Sequence, residues 1–417
     1  MKRYWKFVTI SLIAVLAIAV FYLQPLFTKD QYPAFTFKTV KGDAAELKNL
    51  TLYGGYSPLG YNSPGNTFFY IEKPFSLTEK ETLYDNQRSY FENLAVNPFD
   101  NQLQKLQKEN KTFMRAKDLD SRNFFEDDTF LAYVAIDDSQ LSSSSNKAVF
   151  NIQILNKNSK EVSSYTIDIP LKDNTDYLYL ENIQIIDSAL KVVTRSSFSN
   201  SAQEEYHVYH LDLGNQKVIK DDLLSFESKT FGNEQSNVML LNDLQADQPE
   251  DELVFEVDYL EPYDEKKAEE DPDYYPDTTG REFFVYDFKN QTINPLLTSK
   301  ENNHTETNAV VDKNNLYLYR LTNQTIEVST VFLDDSGKSE NYVFDLPSGS
   351  NPQLEWMTIQ AEKLYLITPA KDSQTKKELM VYDLNSSDIL YEGVIEKTAR
   401  NKDQTTDALY IYDGSIN

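Results

Sequence analysis

Apolar and polar residues alternate over short runs along most of this chain. Residues 149–155 read Val-Phe-Asn-Ile-Gln-Ile-Leu, and residues 316–319 and 363–367 are similar. A period of two marks a strand with one buried face. Tyr, Phe, Val, Ile and Thr fill these runs, and such side chains suit a pleated surface.

The runs recur in a fixed order. Residues 208–213 (Val-Tyr-His-Leu-Asp-Leu), 284–288 (Phe-Val-Tyr-Asp-Phe) and 380–384 (Met-Val-Tyr-Asp-Leu) each read strand, Asp, one apolar residue, then a polar turn and a second strand. Looser copies lie at 154–160 and 332–338. Aligning Asn156, Asp212, Asp287, Asp334 and Asp383 gives spacings of 56, 75, 47 and 49 residues. The longest spacing contains an acidic insertion. Without it the period approaches that of one four-stranded propeller blade, about 50 residues. A further strand precedes the motif at 189–193, 253–257 and 363–367. The expected fold is an all-β propeller of six to seven blades behind one N-terminal transmembrane helix. Two β-rich, sandwich-like domains are the alternative. Residues 408–412 are expected to close the propeller by pairing with the first blade. Glycine is scarce, with 12 residues against roughly 29 at average usage. Asn and Asp are therefore expected at left-handed turn positions. The repeat aspartates themselves read as structural.

Residues 76–120 break the pattern. Ser76-x-x-Glu79 and Thr78-x-x-Glu81 resemble capping boxes, and Leu103, Leu106 and Phe113 suit a short amphipathic helix. A helical insertion is expected here.

The N-terminus differs in kind. Lys2, Arg3 and Lys6 precede an uncharged run from Phe7 to Phe27, which is long enough to cross a bilayer as a helix. Basic residues before it predict a cytoplasmic N-terminus. A cleaved signal peptide is the alternative, with Ala17 and Ala19 as a cleavage signal. The expected organisation is an anchor at 1–27, a linker at 28–50 and an extracytoplasmic body at 51–417. That body carries an acidic insertion at 258–280.

Charge and composition narrow the classes. The net charge is −26, and no acid lies in residues 1–27. Such a surface disfavours nucleic acid. The chain has no cysteine, which excludes disulfides, lipoprotein acylation and thiolate chemistry. A large cysteine-free outer region suits a bacterial envelope, most simply a Gram-positive one.

Candidate chemistry is sparse. Residues 247–277 hold 14 carboxylates against Lys266 and Lys267. The expected role is a solvated loop. Calcium is the cofactor weighed here, with Asp271, Asp273, Asp277 and Glu282 at four offsets of an EF-hand loop. Tyr275 and Pro276 break that motif, leaving irregular coordination. His207 and His210 lie three apart on a strand and face opposite ways. Residues 54–65 (GGYSPLGYNSPG) read as a wide hairpin connection, in which Tyr56 and Tyr61 offer ring faces to a sugar or peptide.

The function expected is a non-catalytic, membrane-anchored binding or regulatory accessory protein of an envelope system, partnered by a sensor or transporter. The alternatives are an enzyme acting on a cell-wall glycan and a ligand- or calcium-binding sensor.

Overall fold

The computed structural model describes residues 5, 9–13, 15, 32–58, 72–88, 101–139, 147–199, 201–227, 236–242, 249–264, 266–267, 271, 274–297, 307–322, 324–333, 338–346, 354–371, 373–398 and 407–416. Asp273, Tyr61, Asp334 and most of the run 7–27 fall outside them. Among the described residues, no helix is long and apolar enough to cross a membrane.

The fold is all-β. Strands β1 (Phe35–Gly42), β2 (Leu50–Ser57), β3 (Lys73–Leu77) and β4 (Thr82–Tyr84) come first. Two short helices follow, α1 (Asn101–Glu109) and α2 (Lys111–Met114). Then come β5 (Phe124–Glu126), β6 (Phe130–Asp137), β7 (Lys147–Asn156) and β8 (Val162–Pro170). Next are β9 (Thr175–Ile186), β10 (Ala189–Phe198), β11 (Ser201–Asp212) and β12 (Lys217–Leu224). The following four are β13 (Ser236–Leu240), β14 (Glu252–Leu260), β15 (Thr278–Asp287) and β16 (Thr292–Leu297). After them run β17 (Asn308–Asp312), β18 (Asn315–Leu321), β19 (Thr325–Phe332) and β20 (Ser339–Asp345). The last are β21 (Trp356–Gln360), β22 (Lys363–Pro369), β23 (Lys377–Asp383), β24 (Ile389–Lys397) and β25 (Ala408–Ile416).

These strands form six antiparallel sheets, consistent with a propeller-like fold. The orders are β5-β6-β7-β8, β12-β11-β10-β9, β13-β14-β15-β16, β17-β18-β19-β20, β25-β2-β3-β4 and β1-β24-β23-β22-β21. The motif residues Asn156, Asp212, Asp287 and Asp383 each end the third strand of a sheet.

The chain divides into two compact units. Unit 1 comprises Met1–Gln104, Leu321–Glu327 and Tyr342–Asn417. Its core gathers Leu52, Phe75, Tyr365, Val381, Tyr391 and Leu409. Here the chain ends exchange places. The C-terminal strand β25 pairs with β2, as Gly55 opposite Tyr410 illustrates. The N-terminal β1, read from sequence as linker, is a fifth strand beside β24.

Two local readings change in unit 1. Gly54 and Gly55 lie inside β2 rather than in a turn. A Cβ on Gly54 would stand 2.1 Å from the Tyr410 carbonyl oxygen, so glycine permits the close approach of β25. Thr78 heads a β3–β4 hairpin, not a helix, and its hydroxyl accepts from the amides of Lys80 and Glu81. A hydroxyl that bonds backbone two and three residues on serves a turn as well as a helix start. The helical expectation holds further on, where α1 and α2 bury Leu103, Leu106 and Phe113.

Unit 2 comprises Lys105–Arg320 and Val328–Asn341. Among the described residues, its sheets pack through three apolar clusters. One includes Val134, Phe150, Ile183 and Val192. Another includes Tyr206, Val208, Phe255 and Tyr286. The third includes Val254, Phe283, Leu316 and Val331. Each fully buried side chain of this size contributes about 1.5–3 kcal/mol.

The motif turns share one construction. The Asp287 carboxylate accepts from the amides of Lys289 and Asn290, at 2.7 and 2.8 Å. Asn156 accepts from Asn158 and Ser159, Asp212 from Asn215 and Asp383 from Ser386. Four residues after each acceptor, Lys160, Gln216, Gln291 and Ser387 adopt positive φ of 51° to 61°. Asp187-Ser188 and Ala361-Glu362, with positive φ at both positions, form two-residue hairpin turns of type I′. Lys, Gln, Ser, Ala and Glu thus occupy most left-handed hairpin positions expected for Asn and Asp. The acidic or amide residue serves instead as the hydrogen-bond acceptor that opens each of these four turns.

Candidate functional site

The candidate site lies in unit 2, at the ends of sheets opposite the motif turns. It starts from β9, an edge strand. Leu178 and Leu180 point inward and are buried, so Tyr177 and Tyr179 point out. Tyr177 is 58% exposed and Tyr179 37%. Their rings stack with centroids 6.0 Å apart and planes 21° apart. On β10, Arg195 lies opposite Tyr179 and Ser197 opposite Tyr177. The Arg195 guanidinium sits 4.7 Å from the Tyr179 ring centroid, within cation–π range.

A ladder of alternating charges supports this stack. Asp120 and Arg122 meet at 2.6 Å, Glu181 and Arg195 at 2.7 Å, and Arg195 and Glu204 at 2.5 Å. Arg122 also stands 4.0 Å from Glu181. The hydrogen bond from Arg122 holds the Asp120 carboxyl below its ordinary value. Burial alone would lower the Arg195 value, but Glu181 and the other nearby anions outweigh it and raise it. These pairs are partly exposed, so each contributes about 0–1 kcal/mol. Their main effect is to fix the direction of Arg195 and so of the tyrosine stack. A small cleft of about 180 Å³ adjoins Tyr179, walled by Asp118, Asp120, Arg122, Ile136 and Leu180.

The neighbouring sheet packs against this one. Tyr206, the β11 partner of Arg195, packs edge-on against Phe255 of β14, and its hydroxyl donates to the Val238 carbonyl. On β14 and β15, Arg281 binds Asp258 at 2.6 and 3.0 Å and Glu256 at 3.1 Å. Glu256 is 6% exposed. Burial pushes its carboxyl up to about 7, with Arg281 opposing and Asp258 adding to the rise. The acidic insertion leaves from this end of the sheet. At its neck the Glu261 amide donates to the Asp277 carbonyl. Tyr263 and Tyr274 lie 5.8 Å apart, and Lys267 stands 5.4 Å over Tyr274. Of the five exposed tyrosines among the described residues, Tyr177, Tyr179, Tyr263 and Tyr275 belong to this end of these two sheets.

The residues singled out from sequence lie apart. Asp271 and Asp277 are exposed, while Glu282 is buried in β15 and accepts from the Tyr259 hydroxyl at 3.1 Å. Among the described residues, no group of three or more His, Asp or Glu side chains is placed to hold a metal ion. Tyr56 is buried in unit 1. Its hydroxyl donates to Asp407, its ring meets Phe35, and Lys397 bridges to Asp407. His207 pairs with Asp221 at 2.7 Å. His210 is enclosed by Lys191, Asp222 and Tyr286, at 2.7, 2.9 and 3.2 Å. Lys191 has only protons to offer, so Nδ1 accepts and Nε2 donates to Asp222. Burial and Lys191 hold His210 below its ordinary value.

Sequence reading passed over Tyr177 and Tyr179. The signal was present in Tyr-Leu-Tyr-Leu-Glu at 177–181, two tyrosines on one face backed by two leucines. What sequence does not show is which face of β9 the fold covers: the leucine face is buried and the tyrosine face stays open.

No protein-family model matches the chain, and no curated protein matches it. Several solved structures are similar. A point variant of the apocarotenoid oxygenase of Synechocystis is 11% identical with a TM-score of 0.44, over 95% of this chain and 98% of that one. The WD40 domain of SCAP from fission yeast is 11% identical with a TM-score of 0.34, over 68% and 65%. An oligogalacturonate lyase in complex with manganese is 10% identical with a TM-score of 0.32, over 59% and 62%.

Proposed function

We propose that the chain is a membrane-tethered, extracytoplasmic, six-bladed propeller that binds a protein of a bacterial envelope system as a non-catalytic accessory or regulatory subunit. One observation carries the reading. Exposed tyrosines concentrate at one end of two sheets, and the Tyr177–Tyr179 stack among them is set by the ion-paired Arg195. Tyr and Arg are the residue types that dominate interface energetics. The tether reading is supported by the basic N-terminus, the uncharged run 7–27 and the acidic remainder.

Crosslinking in intact membranes followed by capture tests the reading. The wild type is expected to recover one envelope protein, and a Tyr177→Ser, Tyr179→Ser variant to lose it. Recovery of no partner, or equal recovery by both, sinks the proposal. A carbonate wash tests the tether, which predicts retention in the membrane pellet.

A second reading, an enzyme acting on a cell-wall glycan, has Glu256 in its favour. A carboxyl near 7 suits general acid–base work. Cell-wall hydrolysis by the wild type that Glu256→Gln abolishes would favour it.

A further inference from the structure

We infer that the partner segment docking on this surface is cationic, an extended peptide bearing Lys or Arg side chains. The inference rests on the binding reading above. Its first support is what the tyrosines already hold. Arg195 covers Tyr179 and Lys267 covers Tyr274, so the surface binds the chain's own cations through ring faces. Tyr177, Tyr263 and Tyr275 are exposed, and among the described residues no cation of the chain lies over their rings. Tyr177 extends the series Arg195–Tyr179–Tyr177, and the next position in that series is one for a second cation.

Charge is the second support. Asp176 adjoins Tyr177, and Asp264, Asp271 and Asp277 flank Tyr263 and Tyr275, all of them exposed. The chain as a whole carries −26, which steers a basic segment toward it and repels an acidic one. Geometry argues against a sugar held between two rings. Tyr177 and Tyr179 stand 6.0 Å apart, less than the roughly 7 Å that two van der Waals contacts of 3.5 Å require.

Fluorescence anisotropy on the full-length protein in detergent tests the inference. The probes are labelled hexa-arginine, labelled hexa-glutamate and a labelled neutral hexasaccharide of N-acetylglucosamine. Hexa-arginine is expected to bind, more weakly as salt rises, and the other two are not. Tyr177→Ser with Tyr275→Ser removes no charge and is expected to weaken hexa-arginine about tenfold. Tyr177→Phe with Tyr275→Phe keeps the ring faces and is expected to bind within twofold of wild type. Asp168→Asn removes one remote exposed charge and is expected to change affinity by less than twofold. Unaltered melting temperatures show that each variant folds. Equal affinity of the serine variant and the wild type overturns the inference, because attraction by net charge then explains the binding. Binding of the hexasaccharide, lost in the serine variant, overturns it in favour of a glycan. The capture experiment separates the two readings. If capture needs Tyr177 and Tyr179 while hexa-arginine binding does not need the tyrosines, the surface binds a partner of another chemistry.

Discussion

The two ends of the sheets in unit 2 are built on different rules. At one end the motif turns repeat. An Asp or Asn side chain accepts from the amides two or three residues on, and a left-handed residue closes the loop. The side-chain-to-amide bonds that define such a turn close within three residues, while other groups of the turn reach further, as the Phe288 amide does to the Asp251 carbonyl and the Gln291 side chain to Lys220. At the other end the contacts are long-range. Arg195 joins Glu181, 14 residues away, and Arg281 joins Asp258, 23 residues away. The first end reproduces itself because the bonds that set the turn's backbone lie within a short segment. The second end varies, because its side chains answer to neighbouring strands. Recognition surfaces form where variation is tolerated, and here the exposed tyrosines accumulate.

The sharpest way to break this contrast is to remove a long-range anchor. Arg281→Met leaves Glu256 and Asp258 together without their cation. The expected cost is about 3 kcal/mol at pH 8, read by urea unfolding. The cost should shrink at pH 5, where Glu256 is protonated. A pH-independent loss would show that the pair does not set stability at this end.

The pH profile of the wild type sharpens the point. His210 is depressed from 6.5 by burial. The unfolded chain therefore takes up that proton first. The contribution is complete above about 6.5 and is lost as pH falls through the depressed value. Glu256 is raised from 4.5 to about 7. Its contribution is present below about 4.5 and is lost as pH rises through about 7. Glu256→Gln should therefore gain melting temperature relative to wild type between pH 5 and 8. His210→Gln should flatten the loss on the acid side of 6.5. Unchanged slopes would refute both assignments.

The turn end should respond less. Asp287→Ala removes two amide acceptances and is expected to cost about 1 kcal/mol. Gln291→Gly relieves a left-handed residue and is expected to add up to about 1 kcal/mol, reduced by the greater freedom of the unfolded chain. Both follow from thermal or urea unfolding. The smallest effect on stability is expected for Tyr177→Ser, within about 0.5 kcal/mol. The same change should have the largest effect on partner capture.

These sizes track how legible each part was. Alternation marked β7, β18 and β22 before any pairing was known, and the Asp-headed turns showed where third strands end. Thr78 misled, since one hydroxyl-to-amide pattern serves both a hairpin and a helix start. Gly54 misled as well. Its meaning depends on the Tyr410 carbonyl, more than 350 residues away in sequence. The candidate site was hidden for the same reason. Tyr177 and Tyr179 look like ordinary strand residues until the packing of β9 shows which of its faces is covered.

By itself, the sequence determined the strand repeat, the turn chemistry and the uncharged N-terminal run. Each rests on side-chain periodicity or on hydrogen bonds closed within about five residues. The pairing of residues 408–412 with the first strands was also expected from sequence and is seen as β25 beside β2, but only the tertiary structure decided the place of β1 beside β24, the place of Gly54 and the setting of Arg195 and Arg281. Those depend on which distant strands become neighbours, and strand pairing is chosen by the burial of whole faces, not by any one segment.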